Sequence, residues 1–537
     1  MTKKTFVKGA VILGAAGVVV KMLGAMFRIP LGNIIGDTGM GYYQTAYPIY
    51  VLLLSLTNGG LPTAVSRLVS ERTAEGNHRE AYRVFKISFG LMAGIGVLSS
   101  LFLLVGAPYI ASFSSMKAVP AIRAIAPALI IVPLMSAFRG YFQGQQDMMP
   151  TAVSRIFEQL FRVALGLTLA VLLVSRGLEF AAAGASFGAT AGGLFGLSSI
   201  LIIFMLRRKG IHGDCAATPE DMPSESWKTV MKKLVVIAVP ITIGAAIMPV
   251  MSNIDLLLVN SRLTSAGFTP EEANSLYGQL SGFAASFVNF PQELTQGIAL
   301  SIVPAIAAAY QVKDTAFLQK NIKLGLRMAM LIGMPCAAGL FVLAKPIMMM
   351  LYPLQQESAV SAAGCLAVLA LGVVFLSAVQ ALTGMLQGIG RQMVPVANLA
   401  VGAVFKVIIT FVLTAVPFIN VRGAAAGTVC AYIVATVLNY RAIRRYADVT
   451  FDLSLTFVRP ALSAGVMGLA VFAAYRLLGG LCGNVLATLI SVGIGVCVYA
   501  FLLFALKAIT MDELREVPKA GKLVRLLEKI PGIGKKL

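Results

Sequence analysis

Residues 140–149 read GYFQGQQDMM, and residues 384–393 read GMLQGIGRQM. Gly140/Gly384, Gln143/Gln387, Gly144/Gly388 and Met149/Met393 match at one offset, 244 residues. Phe161-Arg162-Val163 keeps that offset with Phe405-Lys406-Val407. Ala181-Ala182-Ala183-Gly184 returns as Ala424-Ala425-Ala426-Gly427 at an offset of 243, and Pro150 corresponds to Pro395 one residue out of step. An offset held over such a length marks an internal duplication, which chance likeness between alanine-rich stretches rarely imitates.

The surrounding sequence says what is duplicated. Of the 537 residues, 58% are hydrophobic and 12% are charged, and the mean hydropathy is +0.84. Soluble domains carry about 25% charged residues, so this chain lacks the polar surface to cover soluble domains. A membrane-crossing helix needs about 20 apolar residues, and on that rule the chain divides into about fourteen spans. Spans 1 and 2 fall at roughly 9–31 and 42–66, span 8 at roughly 277–310, and spans 13 and 14 at roughly 458–477 and 483–506. The matches pair spans 4–6 with spans 10–12, and by extension spans 1–6 with spans 7–12. An even number per repeat gives both halves one orientation, about an axis along the membrane normal. The expected organisation is an N-lobe at 1–228, a C-lobe at 229–450, two additional helices at 451–510 and a basic amphipathic tail at 511–537. The tail reads either as an interfacial helix on anionic lipid or as a solvated charged segment.

Forty-four Lys and Arg against 23 Asp and Glu give a net charge of +21. Because the cations lie between apolar runs, they read as topology signals and anionic-lipid contacts, not as a nucleic-acid surface. With both termini in the cytoplasm, 32 basic residues fall in cytoplasmic segments or at the cytoplasmic ends of spans, and six in outer connections. That asymmetry places both termini on the cytoplasmic side. Two histidines, and six cysteines without C-x-x-C spacing, give no ligand set for a metal. No phosphate-binding G-x-x-x-x-G-K-[ST] loop occurs, so transport relies on a coupling cation, the membrane potential or the substrate gradient, and no cofactor is expected. No Asp/His/Ser set clusters at one depth to do acid–base work, which argues against an enzyme.

Charges within spans are costly and usually line a bundle interior. Lys21 lies about 18 Å into span 1 at helical rise. Arg162 and Lys406 are similarly deep at equivalent places in the two repeats. Arg28 stands higher, next to Pro30 and the glycines Gly36 and Gly39, which are expected to bend span 1. Glu293 sits in mid-span 8 and Asp255 toward the outer end of span 7. Glu158 shares a helical face with Arg155 and Arg162 and is expected to orient them and offset their charge. Arg123 and Arg327, near span ends, read more readily as packing or interfacial residues. The mid-depth cations point to a cavity for an anionic group, against the plainer reading of neutralised packing charges.

The runs Lys21-Met22-Leu23-Gly24, Arg28-Ile29-Pro30-Leu31, Gly39-Met40-Gly41-Tyr42-Tyr43-Gln44, Ala46-Tyr47-Pro48-Ile49-Tyr50 and Gly60-Leu61-Pro62-Thr63-Ala64-Val65-Ser66-Arg67 follow one another. Span 8 adds Tyr277-Gly278, Pro291 and Gly297-Ile298-Ala299-Leu300-Ser301-Ile302-Val303-Pro304-Ala305. Together they resemble the SpoVB/MurJ branch of the multidrug/oligosaccharidyl-lipid/polysaccharide exporter superfamily, over essentially the whole chain. The resemblance implies a flippase for undecaprenyl-diphosphate-linked peptidoglycan precursor, lipid II, working by alternating access and alongside cell-wall synthesis proteins. It also implies diphosphate binding by basic cavity residues, here Lys21 and Arg28, with Arg67 closing the span 2 motif. A further basic position of the family, midway along span 2, is occupied here by Ser55 and Leu56, and Arg162 or Lys406 is expected to supply that charge. Asp255 and Glu293 are the expected coupling or charge-balancing carboxylates. Competing readings are a multidrug or cation antiporter of the same superfamily, a flippase for another lipid-linked polysaccharide, and a non-transporting envelope scaffold. The antiporter reading calls for an acidic cavity, whereas the mid-depth charges here are mostly basic.

Overall fold

The structure is a computed structural model that describes residues 3–219, 222–506 and 508, with side chains except those of 3–15, 18, 21, 25 and 300. The Lys21 side chain and the basic tail at 511–537 therefore lie outside the described residues. No strand occurs among those described. Helices alone satisfy every backbone N–H and C=O within one segment, which hydrocarbon demands.

The helices are α1 (Lys3–Asn58), α2 (Leu61–Ala74), α3 (His78–Ala111), α4 (Val119–Ile125), α5 (Ala128–Gly144), α6 (Met149–Leu173), α7 (Leu178–Ala216), α8 (Trp227–Ser265) and α9 (Pro270–Gly278). A π-helical turn, Gln279–Ala284, leads on to α10 (Ala285–Gln311), α11 (Thr315–Val342), α12 (Ala344–Leu351), α13 (Gln356–Gly388), α14 (Met393–Leu413), α15 (Arg422–Ala447) and α16 (Arg459–Ala505).

Twelve helical stretches among the described residues are long and apolar enough to cross a membrane. The sequence reading expects about fourteen, and the difference falls at two places. Met22–Ala74 (53 residues) takes in spans 1 and 2, and Ser454–Ala505 (52 residues) takes in spans 13 and 14. At about 1.5 Å per residue each is more than twice the ~30 Å hydrocarbon thickness. Each is broken at a glycine instead of a loop: Gly36 at φ 65°, ψ −173°, and Gly483 at φ 73°, ψ 167°. Side chains other than glycine's rarely adopt that backbone region. The break expected around Pro30 and its glycines thus sits at Gly36, while Pro30 lies inside continuous helix.

Packing divides the chain into two compact units, Met1–Gly282 with Ala415–Asn420, and Phe283–Thr414 with Val421–Leu537. The repeat divides the sequence near 228; the packing divides it within the π-helical turn, because α8 and α9 lie against α1.

In the first unit α7 lies directly on α6. A Cβ on Gly188 would come within 2.7 Å of the Arg162 carbonyl oxygen, and one on Gly184 within 2.9 Å of the Leu169 backbone. Small residues at four-residue spacing let two helices meet backbone to backbone without a hydrophobic driving force. The second unit repeats the device, with Gly402 of α14 against the Ala431 carbonyl of α15 at 2.6 Å. There α16 docks on α11 and α12: Tyr499 Oη donates to the Leu331 carbonyl at 2.8 Å, Asn484 Nδ2 to Pro346 at 3.1 Å, and Arg327 Nε to Ala508 at 3.2 Å.

Candidate functional site

Tyr43, Tyr47 and Tyr50 stand at i, i+4 and i+7 on α1, so one helical face carries all three rings. Tyr43 and Tyr47 stack with centroids 5.6 Å apart and planes 15° apart, and Tyr47 and Tyr50 follow at 6.0 Å. Phe27 extends the ladder to Tyr43 at 6.1 Å. Tyr43 and Tyr50 are buried, whereas Tyr47 is half-buried.

Two cations converge on this ladder. The Arg162 guanidinium of α6 lies 5.1 Å from the Tyr47 ring centroid, and its Nη2 donates to Tyr43 Oη at 3.4 Å. The Arg28 guanidinium lies 5.8 Å from the same ring. A guanidinium over an aromatic face gains about 0.5–2 kcal/mol and keeps its full charge. The result is a pair of positive groups offset by aromatic faces and a phenol.

Glu158 does not complete the arrangement expected from helical spacing. Its Oε2 accepts from Arg139 Nη2 of α5 at 2.9 Å, and Arg139 Nε donates to Ser154 Oγ at 2.8 Å. Arg139 is 8% exposed and invites the carboxylate toward α5; Arg155, by contrast, is exposed. Spacing along α6 identifies the shared face but carries no information about a cation arriving from another helix.

At the end of this unit that carries Lys117, α1 is closed on α9. A Cβ on Gly41 would lie 2.5 Å from Asn274 Nδ2, and one on Gly278 would lie 2.7 Å from the Gly41 nitrogen. Asn274 Nδ2 donates to the Thr38 carbonyl at 2.9 Å, Ser114 Oγ donates to Asn274 Oδ1 at 3.2 Å, and Thr45 Oγ1 donates to Ser114 Oγ at 3.0 Å. Gln279 Nε2 donates to Asp37 Oδ2 at 2.8 Å, and Gln44 Nε2 to the Ser281 carbonyl at 2.5 Å. At the rim Lys117 Nζ donates to Glu271 Oε1 at 2.5 Å, and that bond holds the ammonium pKa above its ordinary value.

The other candidate residues are dispersed. Arg67 is exposed on α2 and paired with Glu71 at 2.9 Å. Asp255 is half-buried on α8. Lys406 and Glu293 belong to the second unit. Lys406 is 2% exposed, on the face of α14 that packs against α15, so equivalence in the repeat has not given it the surroundings of Arg162. Arg123 is exposed, and Arg327 is 5% exposed with its guanidinium on Ala508. The structure thus gathers Arg28 and Arg162 and leaves Arg67 apart. The tyrosine ladder, Arg139 and the Asn274 network are additions. Only the ladder was readable beforehand, from its i, i+4, i+7 spacing.

Comparison with known proteins follows the same outline. The family model described as "Polysaccharide biosynthesis protein" matches residues 6–310, and the model described as "MatE" matches residues 281–412. "Stage V sporulation protein B" of Bacillus subtilis (strain 168) is 29% identical over 98% of this chain and 100% of its own length. "Lipid II flippase MurJ" of the same organism is 27% identical over 86% of this chain and 87% of its own. The solved structure "Lipid II flippase MurJ, inward closed conformation" superposes with a TM-score of 0.71 at 15% identity, covering 92% of this chain and 98% of that one. At that identity the likeness establishes the fold of a multi-pass transporter.

Proposed function

Because the chain belongs to the polysaccharide biosynthesis protein family, we propose that it is a flippase for a lipid-diphosphate-linked saccharide. Its substrate in this reading is lipid II, carried from the inner to the outer leaflet of the bacterial cytoplasmic membrane. The observation that carries the reading is the convergence of Arg28 and Arg162 on one tyrosine ring inside a membrane-embedded unit. A diphosphate entering a low-dielectric cleft needs cations there, and guanidinium groups grip phosphate oxygens with two parallel hydrogen bonds. The relative whose printed name is lipid II flippase supports the choice of substrate.

In this reading the headgroup enters from the cytoplasmic leaflet and meets Arg28 and Arg162 while the Lys117 end, on the outside, is closed by Gly41, Asn274 and Gly278. Separation of α1 from α9, with bending at Gly36, then opens the outer end. A membrane potential negative inside favours outward movement of the anionic headgroup by about 2.3 kcal/mol per charge per 100 mV. Lys21 of span 1 is assigned a further contact with the diphosphate from its depth in the sequence. Both termini lie in the cytoplasm in this reading.

The test is complementation of a strain depleted of its lipid II flippase, scored by precursor reaching the outer leaflet. Wild type restores export, and well-expressed Arg162→Ala and Arg28→Ala do not. Export of some other lipid-linked saccharide without lipid II would move the assignment to that substrate.

A further inference from the structure

Resting on that diphosphate reading, we infer that Arg139 is a positioning residue: by drawing Glu158 toward α5 it keeps that carboxylate from neutralising Arg162, a cation the headgroup needs. Ser154, Glu158 and Arg162 follow at four-residue intervals on α6, so their side chains share one face. A glutamate one turn N-terminal to an arginine is the favourable order for an i, i+4 ion pair. On α6 alone Glu158 would therefore turn to Arg162, where weak screening in an apolar interior strengthens the pair. The guanidinium would then be bonded already, and an arriving diphosphate would have to displace a carboxylate. The structure shows the other arrangement. Glu158 Oε2 accepts from Arg139 Nη2 at 2.9 Å. Arg162 donates to Tyr43 Oη at 3.4 Å and faces the Tyr47 ring, and among the described residues no carboxylate pairs with it.

The surroundings of Arg139 explain why it holds the carboxylate. Its side chain is buried, and a guanidinium left unpaired there would be costly. Its Nε donates to Ser154 Oγ at 2.8 Å, and the fully buried Ser154 hydroxyl donates in turn to the Thr151 carbonyl at 3.0 Å. With Nε fixed on Ser154, Nη2 meets the next residue of the same face, Glu158. Nor is α5 able to slide away, because a Cβ on Gly140 would lie 2.9 Å from the Pro62 carbonyl oxygen of α2. Arg155, the other cation one turn from Glu158, is exposed, where an ion pair gains little. The second repeat carries a matching observation. At the offset of 244 residues, Thr383 stands for Arg139 and Gly402 for Glu158. The carboxylate and the cation that holds it are absent together, while a base, Lys406, is kept at the place of Arg162.

The experiment titrates the purified full-length protein with lipid II and follows thermal unfolding of the same samples. Wild type that binds no lipid II would sink the substrate reading, whatever Arg139 does. With wild type binding, Arg139→Met, which removes every donor, should lose about tenfold in lipid II affinity. Glu158→Gln should stay within about threefold of wild type, although it unfolds more easily. The double variant Arg139→Met/Glu158→Gln should return to within about threefold, as should Arg139→Lys, which keeps a cation for the carboxylate. Affinity and stability thus part company, which a merely structural role for Arg139 would not allow. Arg139→Gln poses the same question should the methionine variant fail to fold. Wild-type affinity in Arg139→Met overturns the inference, and so does a double variant as weak as Arg139→Met, since a freed Glu158 would then not be the cause. Equal losses in Glu158→Gln and Arg139→Met also overturn it, because packing and not charge would be responsible.

Discussion

Replacing Gly41 with alanine should hold the Lys117 end of the first unit open. The added Cβ would sit 2.5 Å from Asn274 Nδ2, with the Asn274 carbonyl oxygen closer still. That oxygen is backbone, and Asn274 is fully buried, so neither helix gives way by a rotamer change. Overpacking of this kind costs about 1–3 kcal/mol. Parting the helices loses the Asn274–Thr38 bond in wild type and variant alike, so that loss cancels from the comparison. At about 1.4 kcal/mol per decade, closed-state population falls relative to open by roughly fivefold to a hundredfold. The assay is a spin-label distance measurement between Met116→Cys and Ser265→Cys, both exposed positions at this end, in a background without the six native cysteines. Wild type should give a distance distribution dominated by the closed state, and Gly41→Ala one moved to longer distances, with slower transport. An unchanged distribution in well-folded Gly41→Ala would refute the idea that glycine-to-backbone contact makes the seal.

Gly36→Ala, forced into a backbone region costing about 1–3 kcal/mol for a residue with a Cβ, should slow flipping while leaving the amount of folded protein, measured by size-exclusion fluorescence, nearly normal. Glu158→Gln removes the counter-charge of buried Arg139 and should lower stability by about 2–3 kcal/mol, and a second change, Arg139→Gln, should restore much of it. Tyr499→Phe leaves the Leu331 carbonyl without its donor and should loosen α16 by about 1 kcal/mol, seen as faster hydrogen exchange in α16 with unchanged lipid II affinity. Arg327→Ala, which removes the contacts to Ala508, should likewise affect exchange at the end of α16 more than transport.

Much of the fold was legible because the bilayer imposes long apolar runs and because GYFQGQQDMM and GMLQGIGRQM keep one offset. The span count was less so: hydropathy separates two apolar runs at Gly36 and at Gly483, but only backbone geometry shows that each glycine replaces a loop. The division near 282 was also hidden. It depends on α9 meeting α1 through Gly41 and Gly278, and a repeat offset says nothing about which state of closure the chain adopts. Within the site, depth singled out Arg162, and the structure sets it with Arg28 on the Tyr47 ring, a pairing that depth alone did not give. It gave Lys406 the same standing, although small residues around Lys406 bury it against α15. Glu158 shows the limit most clearly: its face was read from spacing, and its partner Arg139 comes from a helix that spacing cannot see.

The most direct measurement is translocation of fluorescent lipid II in proteoliposomes holding the purified protein, with wild type and Arg162→Ala compared at equal incorporation. The diphosphate account requires wild type to expose the lipid to the opposite leaflet and Arg162→Ala to do so at least about tenfold more slowly. Wild type that leaves lipid II in its original leaflet, or Arg162→Ala that moves it at the wild-type rate, would contradict it.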